Sequence, residues 1–196
     1  MTIFLEDYLP TSFANNRSSK RTDDLNLALL NEFLNDNPEY SELNWQFEYK
    51  LPDAYGATFK VDAVGLDGDK PRVVLLNKNA NSNFAQNMKN YANTSVGEAA
   101  RVLLGPIGED VVKVFFITVH PNFSPFFKSD GSVGRIEDVW RAKKRTNVES
   151  VLKKLYGNKV STITYSFDID EINEFTNKSQ FQDGITISNL NVHQCV

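Results

Sequence analysis

Val73, Val74, Leu75 and Leu76 follow one another without a polar break. A strand with this run has no side to turn toward water, so it belongs in the middle of a sheet covered on both faces. The run closes on Asn77 and Lys78. Ahead of it lies Lys60-Val61-Asp62-Ala63-Val64-Gly65, in which Asp62 is the one acid among apolar neighbours. Asp67-Gly68-Asp69-Lys70-Pro71 separates the two and is a turn signal that should not continue a strand. The pattern predicts a hairpin over 57–66 and 72–78. Because side chains alternate, Asp62 should share a face with Lys60 and Val64, and Lys78 with Val74 and Leu76. Asp62 and Lys78 are then either ordinary polar residues of a hairpin or a chemical pair brought to one region of a sheet.

The rest of the chain must cover that sheet. With 41% hydrophobic and 12% aromatic residues in 196, it can build a core, and its length suits one domain. Residues 1–21 read as a flexible entry arm, polar over 15–20, the core spans about 24–167, and 168–196 reads as a C-terminal extension. Leu25, Leu29, Leu30, Phe33 and Leu34 give a helical stripe over 24–35. Residues 44–51 alternate as a strand. Residues 83–104 read as helical, with Ser95-Val96-Gly97-Glu98 fitting a capping box that would start a second helix. Residues 111–119 are a β-rich strand, 120–134 an irregular loop, 135–156 a basic helix, 159–167 a strand and 185–192 a last β-like run. The expected fold class is mixed α/β (α+β), a central mixed sheet flanked by helices.

Composition narrows the chemistry. A single cysteine, Cys195, permits no internal disulfide and no cysteine-rich metal cluster, and His120 and His193 are the only histidines. A metal, if bound, would be held by oxygen ligands, which favours magnesium, manganese or calcium. No run approaches the roughly 18 apolar residues of a membrane span. Residues 1–7 carry early acids and lack the pattern of a secretory signal, so a cytoplasmic protein with no membrane partner is expected. The net charge of −4 hides an asymmetry. Residues 1–50 are acid-rich, whereas 128–159 hold Lys128, Arg135, Arg141, Lys143, Lys144, Arg145, Lys153, Lys154 and Lys159 against four acids. A local patch of this kind can bind a polyanion whatever the total charge.

The order of helix, strand, strand with Asp62, strand ending in Lys78, helix and strand resembles the PD-(D/E)xK nuclease superfamily, which includes many type II restriction endonucleases. The resemblance covers roughly residues 24–120 and rests on Asp62 and Lys78. It implies a restriction-endonuclease-like fold, a magnesium-dependent cut in double-stranded DNA and a homodimer. The family's second acid falls two residues before the lysine, where this chain has Leu76. Some members take that acid from the following helix, which would make Glu98 the second metal ligand. Glu98 is otherwise the end of the Ser95 capping box. Glu48 on the preceding strand is another candidate, or else an exposed strand acid. The implied catalytic set is Asp62, Lys78, Glu98 and Glu48, with Asp62, Glu98 and Glu48 as metal ligands.

Lys128, Arg135, Arg141, Lys143, Lys144 and Arg145 would contact phosphates, and Asn79 and Asn81 could pair with base edges or phosphates. Plainer readings are a solvated basic helix face and amides filling turns. Two other functional classes stay open: a catalytically silent nucleic-acid-binding protein on the same fold, and a protein-interaction module that docks through its charge asymmetry.

Overall fold

The computed structural model describes residues 2–14, 19–145 and 147–195, with backbone alone for 19–22. Six strands form one mixed sheet: β1 (Asn44–Pro52), β2 (Thr58–Asp67), β3 (Lys70–Asn79), β4 (Lys113–Pro121), β7 (Val160–Ile169) and β8 (Ile187–Cys195), in the spatial order β1-β2-β3-β4-β7-β8. The first three strands and the last pair are antiparallel, and β3, β4 and β7 run parallel. A two-stranded sheet, β5 (Phe123–Phe127) with β6 (Val133–Asp138), sits apart. The helices are α1 (Leu5–Tyr8), α2 (Ser19–Asp36), α3 (Phe84–Leu103), α4 (Val139–Lys143), α5 (Val148–Tyr156) and α6 (Lys178–Gln182).

The uninterrupted apolar run does what it predicts. Val73 and Leu75 are buried on the side covered by α1 and α2, and Val74 and Leu76 on the side covered by α3 and α5. The first cluster is the larger and gathers Leu25, Leu29, Phe33, Phe115, Ile117 and Phe167. Phe33 is fully buried and its ring packs on Tyr40, Trp45 and Phe115 with centroids 4.9–5.8 Å apart.

Several boundaries differ from expectation, each for a local reason. The entry arm is packed rather than flexible where it is described, because Leu5, Leu9 and Phe13 supply three anchors that are at most 1% exposed. Its polar stretch at 15–18 lies outside the described residues, and α2 starts at Ser19 rather than near 24. The β2–β3 turn shrinks to Gly68 and Asp69: Asp67 pairs with Lys70 and Pro71 with Leu66 beside a register shift, so Pro71 does continue a strand, at its start. Residues 83–104 form one helix without a second start, because the Ser95 hydroxyl donates to the Tyr91 carbonyl inside α3 instead of capping. The expected loop over 120–134 contains β5 and the start of β6. The expected basic helix is split into β6, α4 and α5, with Asn147 in the left-handed region at the break. The C-terminal run is no appendage, since β8 is hydrogen-bonded to β7 as a strand of the main sheet. No described helix is long and apolar enough to cross a membrane.

Candidate functional site

Helix α3 is tied down at both ends. At its start the Asn83 carboxamide accepts the Phe127 N–H at 2.9 Å, and the buried Glu137 carboxylate accepts the Ala85 N–H at 3.1 Å. At its end Arg101 grips the buried Asp53 carboxylate at 2.6 and 2.8 Å, fastening the β1–β2 turn to the helix. This clamp fixes the middle of α3, with Tyr91 and Glu98, over the ends of β3 and β4.

Lys78 shares the α3-facing side of β3 with Val74 and Leu76, as alternation predicts, and its ammonium pairs with Glu98 at 3.0 Å. The structure thus brings Glu98 to Lys78, and the capping-box reading is corrected, since Ser95 lies inside α3. Glu98 Oε1 takes Lys78, while Oε2 is buried without any donor. Asp62 lies in the same neighbourhood. Regular pairing of β2 with β3 stops at Ala63–Leu75, and the Asp62 carboxylate takes over by accepting the Asn77 backbone N–H at 2.7 Å.

The strand itself is irregular there. Val61 is buried with the α3 cluster and Ala63, two residues on, with the α2 cluster, although a regular strand would keep both on one face. Opposite Asp62, Glu48 interrupts the β1–β2 ladder with a left-handed φ of 52°. A non-glycine residue held so inside a strand is strained, and strain of this type gathers at functional sites. The simple alternation expected for Asp62, Lys60 and Val64 thus fails at Asp62.

Electrostatics bind the group together. Burial pushes the Asp62 carboxyl above its usual value, the Asn77 N–H and Lys78 pull it down, and Glu98 and Glu48 push it up again. Three carboxylates and one ammonium therefore sense one another. Glu48 is the outer member, paired with Lys60, whose pKa it raises through that hydrogen bond. Among the described residues no three His, Cys, Asp or Glu side chains are gathered to hold a metal ion. The fit to magnesium is of another kind. That ion is commonly held by one or two carboxylates, with water and phosphate completing its shell. A buried Glu98 oxygen without a donor beside a crowded Asp62 is the donor set such an ion relieves.

Two residues that sequence patterns hid belong here as well. Across the sheet Lys78 registers with Thr118 and Thr118 with Thr164. The Tyr91 hydroxyl bonds Thr118, and Lys143 Nζ donates to Thr164 at 2.8 Å. Tyr91 reads as one more apolar residue of the α3 stripe and Thr118 as an ordinary strand residue, so neither stands out in the sequence.

The basic candidates divide. Arg141, Lys144 and Arg145 are exposed around α4, and Arg135 is exposed on β6, forked onto Glu137 and stacked 4.1 Å over the Phe126 ring. Arg135, Arg141 and Arg145 line one shallow groove, and Arg145 with Lys89 and Met88 lines the next. Lys128 is exposed on the β5–β6 turn. Lys143 departs from the exposed patch: its side chain is only 9% exposed, pairs with Glu149 at 3.2 Å and lies 5.1 Å from the Trp140 ring centroid. Asn79 and Asn81 are tied inward, to the Tyr8 hydroxyl at 3.4 Å and to Ser12 at 2.9 Å. His120 is fully buried at the end of β4 between Phe84 and Trp140, a structural place rather than a catalytic one.

Fold and site together define a mixed α/β protein with a polar centre at the rim of a six-stranded sheet. Comparison with models of protein families, with curated proteins and with solved structures finds no match for this chain.

Proposed function

We propose that the chain is a magnesium-dependent endonuclease of the PD-(D/E)xK type that cuts double-stranded DNA, of the restriction kind and acting as a homodimer in the cytoplasm. One observation carries the reading. Asp62, Lys78 and Glu98 come from β2, β3 and α3, 36 residues apart at the extremes, and still converge on one spot where the β2–β3 ladder opens. Asp62 and Glu98 would hold the cation, with Glu48 next in line and manganese as a substitute. A magnesium ion there supplies charge to polarise the phosphate and to acidify a water.

The protein's own groups account for the rest. Asp62 is oriented by the Asn77 N–H, so its carboxylate is preset. Lys78, once a substrate phosphate competes with Glu98, turns its ammonium to the phosphoryl oxygens or to the attacking water and stabilises the charge that develops there. Leu76 stays in the apolar cluster beneath α3, and Glu98 takes over the role of the missing strand acid. Arg135, Arg141, Lys144 and Arg145 hold the flanking phosphates and set register.

The catalytically silent alternative draws on Leu76 and on the Lys78–Glu98 pair, which occupies both groups. One experiment separates them. Incubation of the purified protein with a long mixed-sequence DNA should give discrete fragments with magnesium and none with EDTA. Asp62→Ala, Lys78→Ala and Glu98→Gln should each slow the cutting by about 100-fold or more. Intact DNA with wild-type protein, or wild-type rates from the Asp62 and Lys78 variants, refutes the reading.

A further inference from the structure

The two long helices on opposite faces of the main sheet differ in charge. From residue 23 onward α2 carries Asp23, Asp24, Glu32 and Asp36 and no cation. Among the described residues, the exposed polar positions of α3 are Gln86, Asn87, Asn90, Asn93 and Thr94, with Lys89 as their one charge and no acid. Gln86, Asn90 and Asn93 recur at i, i+4 and i+7, so they form one stripe, opposite the buried one through Phe84, Met88 and Ser95. Thr94 donates to the Asn90 carbonyl and Asn87 to the Asn83 carbonyl, whereas no described group takes up the side-chain amides of Gln86, Asn90 or Asn93. Asparagine forms helix poorly, and packing dictates nothing at an exposed position, so the stripe does not serve the helix itself.

Cations stand on both flanks of that stripe. On one flank Asn87 borders a cleft that also holds Lys78, the partner of Glu98. On the other, Lys89 and Asn93 border the groove that holds Arg145, and Arg135 and Arg141 line the next one. The acids of that next groove are already engaged, Glu137 with Arg135 and Asp138 with the Arg141 N–H. A ridge of neutral amides with cations on either side complements a duplex groove, where base edges lie between two phosphate strands. A partner that is merely acidic would need the cations and not the stripe. The sizes agree as well, since a helix is about 10–12 Å across and the major groove about 12 Å wide. We propose that α3 enters the major groove of double-stranded DNA, where Gln86, Asn90 and Asn93 read adenines by donating to N7 and accepting from the N6 amino group. The stripe spans about 10 Å, or about three base pairs. The proposal rests on the nuclease reading for the presence of duplex DNA and names the groups that choose its sequence, the cations fixing phosphates and the amides reading bases.

The test uses the full chain in EDTA at low salt with a pool of short random-sequence duplexes, from which bound DNA is recovered and sequenced. The protein should enrich sites that share adenines within a window of about three base pairs. On an enriched duplex, followed by fluorescence anisotropy, Asn90→Ala and Asn93→Ala should each weaken binding by about tenfold, while affinity for the starting pool falls by less than about threefold. Alanine is the better helix former, so both variants should melt no lower than wild type. Replacing the shared adenines by 7-deazaadenine, which lacks the N7 acceptor, should weaken wild type by about tenfold and leave the variant carrying both substitutions unaffected. Lys89→Ala should weaken enriched and random duplexes alike, and Asn35→Ala, on the acidic helix α2, should change neither. Failure to bind duplex, enrichment of no sequence, or a folded double variant that selects the wild-type site overturns the proposal. Site-selective binding in EDTA without cutting in magnesium would sink the nuclease reading and leave the role of α3 standing. Cutting at sites that the Asn90 and Asn93 variants leave unchanged would do the reverse.

Discussion

The two faces of the central sheet are built from the same strands and do different work. The side under α1 and α2 is closed mainly by apolar packing, with Phe33 at the centre of three stacked and edge-on rings. The side under α3, α4 and α5 is apolar only in part. Toward the ends of β3, β4 and β7 it becomes a row of Lys78, Thr118 and Thr164, covered by Glu98, Tyr91 and Lys143. Apolar cover gains free energy wherever it excludes water, while a polar layer must satisfy each group it buries. Glu98 Oε2 and the raised Asp62 carboxyl show that this layer is incompletely satisfied. Buried amide atoms without partners occur under α2 as well, at Asn26 Nδ2 and Asn77 Oδ1, so what sets the α3 side apart is that it gathers the charged groups Lys78, Glu98 and Lys143 over the strand ends.

That contrast can be broken most directly by truncating one residue on each side. Phe33→Ala should cost about 3–5 kcal/mol in urea unfolding, whereas Tyr91→Phe, which removes one hydroxyl, should cost about 1 kcal/mol. Equal losses would erase the distinction.

Acid sharpens it next. Burial, with Lys143 and His193 nearby, holds the His120 imidazole neutral with its pKa down at about 4, against a partly opposing pull from the Pro121 carbonyl. Between that value and the ordinary 6.5 the unfolded chain binds the proton and the folded chain does not. Stability from this group is therefore present above pH 6.5 and is lost as pH falls toward 4, by about 3 kcal/mol. Across this window the urea midpoint of wild type should fall with pH relative to that of His120→Phe, which lacks the titrating group; parallel curves would count against a neutral buried imidazole.

Asp62 has the opposite sign. A carboxyl whose folded pKa is raised binds its proton more readily when folded, so stability declines as pH rises through the acid range and the cost is complete at neutrality. Asp62→Asn keeps an acceptor for the Asn77 N–H and removes the charge. It should raise stability at pH 7 by about 0.5–2 kcal/mol while abolishing the proposed cutting, and the gain should fade in acid. A destabilised Asp62→Asn protein would contradict a site that stores cost.

The smallest effect concerns the rim. Arg141→Ala and Arg145→Ala should each lower the slope of log affinity against log salt by about one. Lys143→Ala should change stability and leave that slope alone, since its ammonium is occupied within the fold.

Much of the architecture is legible in the chain itself. The apolar run at Val73 to Leu76 fits a central strand because it is short, begins with two β-branched residues and follows directly on the turn at Asp67 to Pro71. The stripe through Leu25, Leu29 and Phe33 specifies a covering helix, and the lone Asp62 and terminal Lys78 mark the hairpin. What sequence patterns mislead on is continuity. Ser95 to Glu98 has the spacing of a cap, yet α3 runs through it, because Val102 and Ala99 bury on the same stripe as Met88 and continuing the helix keeps them covered. Residues 135–156 have helical periodicity, yet the hairpin partner Phe123–Phe127 draws the first part into β6.

Sequence alone determined that a central buried strand would end in a lysine, that an acid would sit on its neighbour, and that soft metals held by cysteine were out of reach. Tertiary structure decided which carboxylate joins them. Spacing along the chain says nothing about Glu98 meeting Lys78 twenty residues away, because that contact depends on the angle at which α3 is clamped by Asp53 and Arg101 at one end and by Glu137 at the other. It also decided that Lys143 turns inward while its neighbours stay out, since the short α4 puts successive side chains on different sides and only one side faces Thr164.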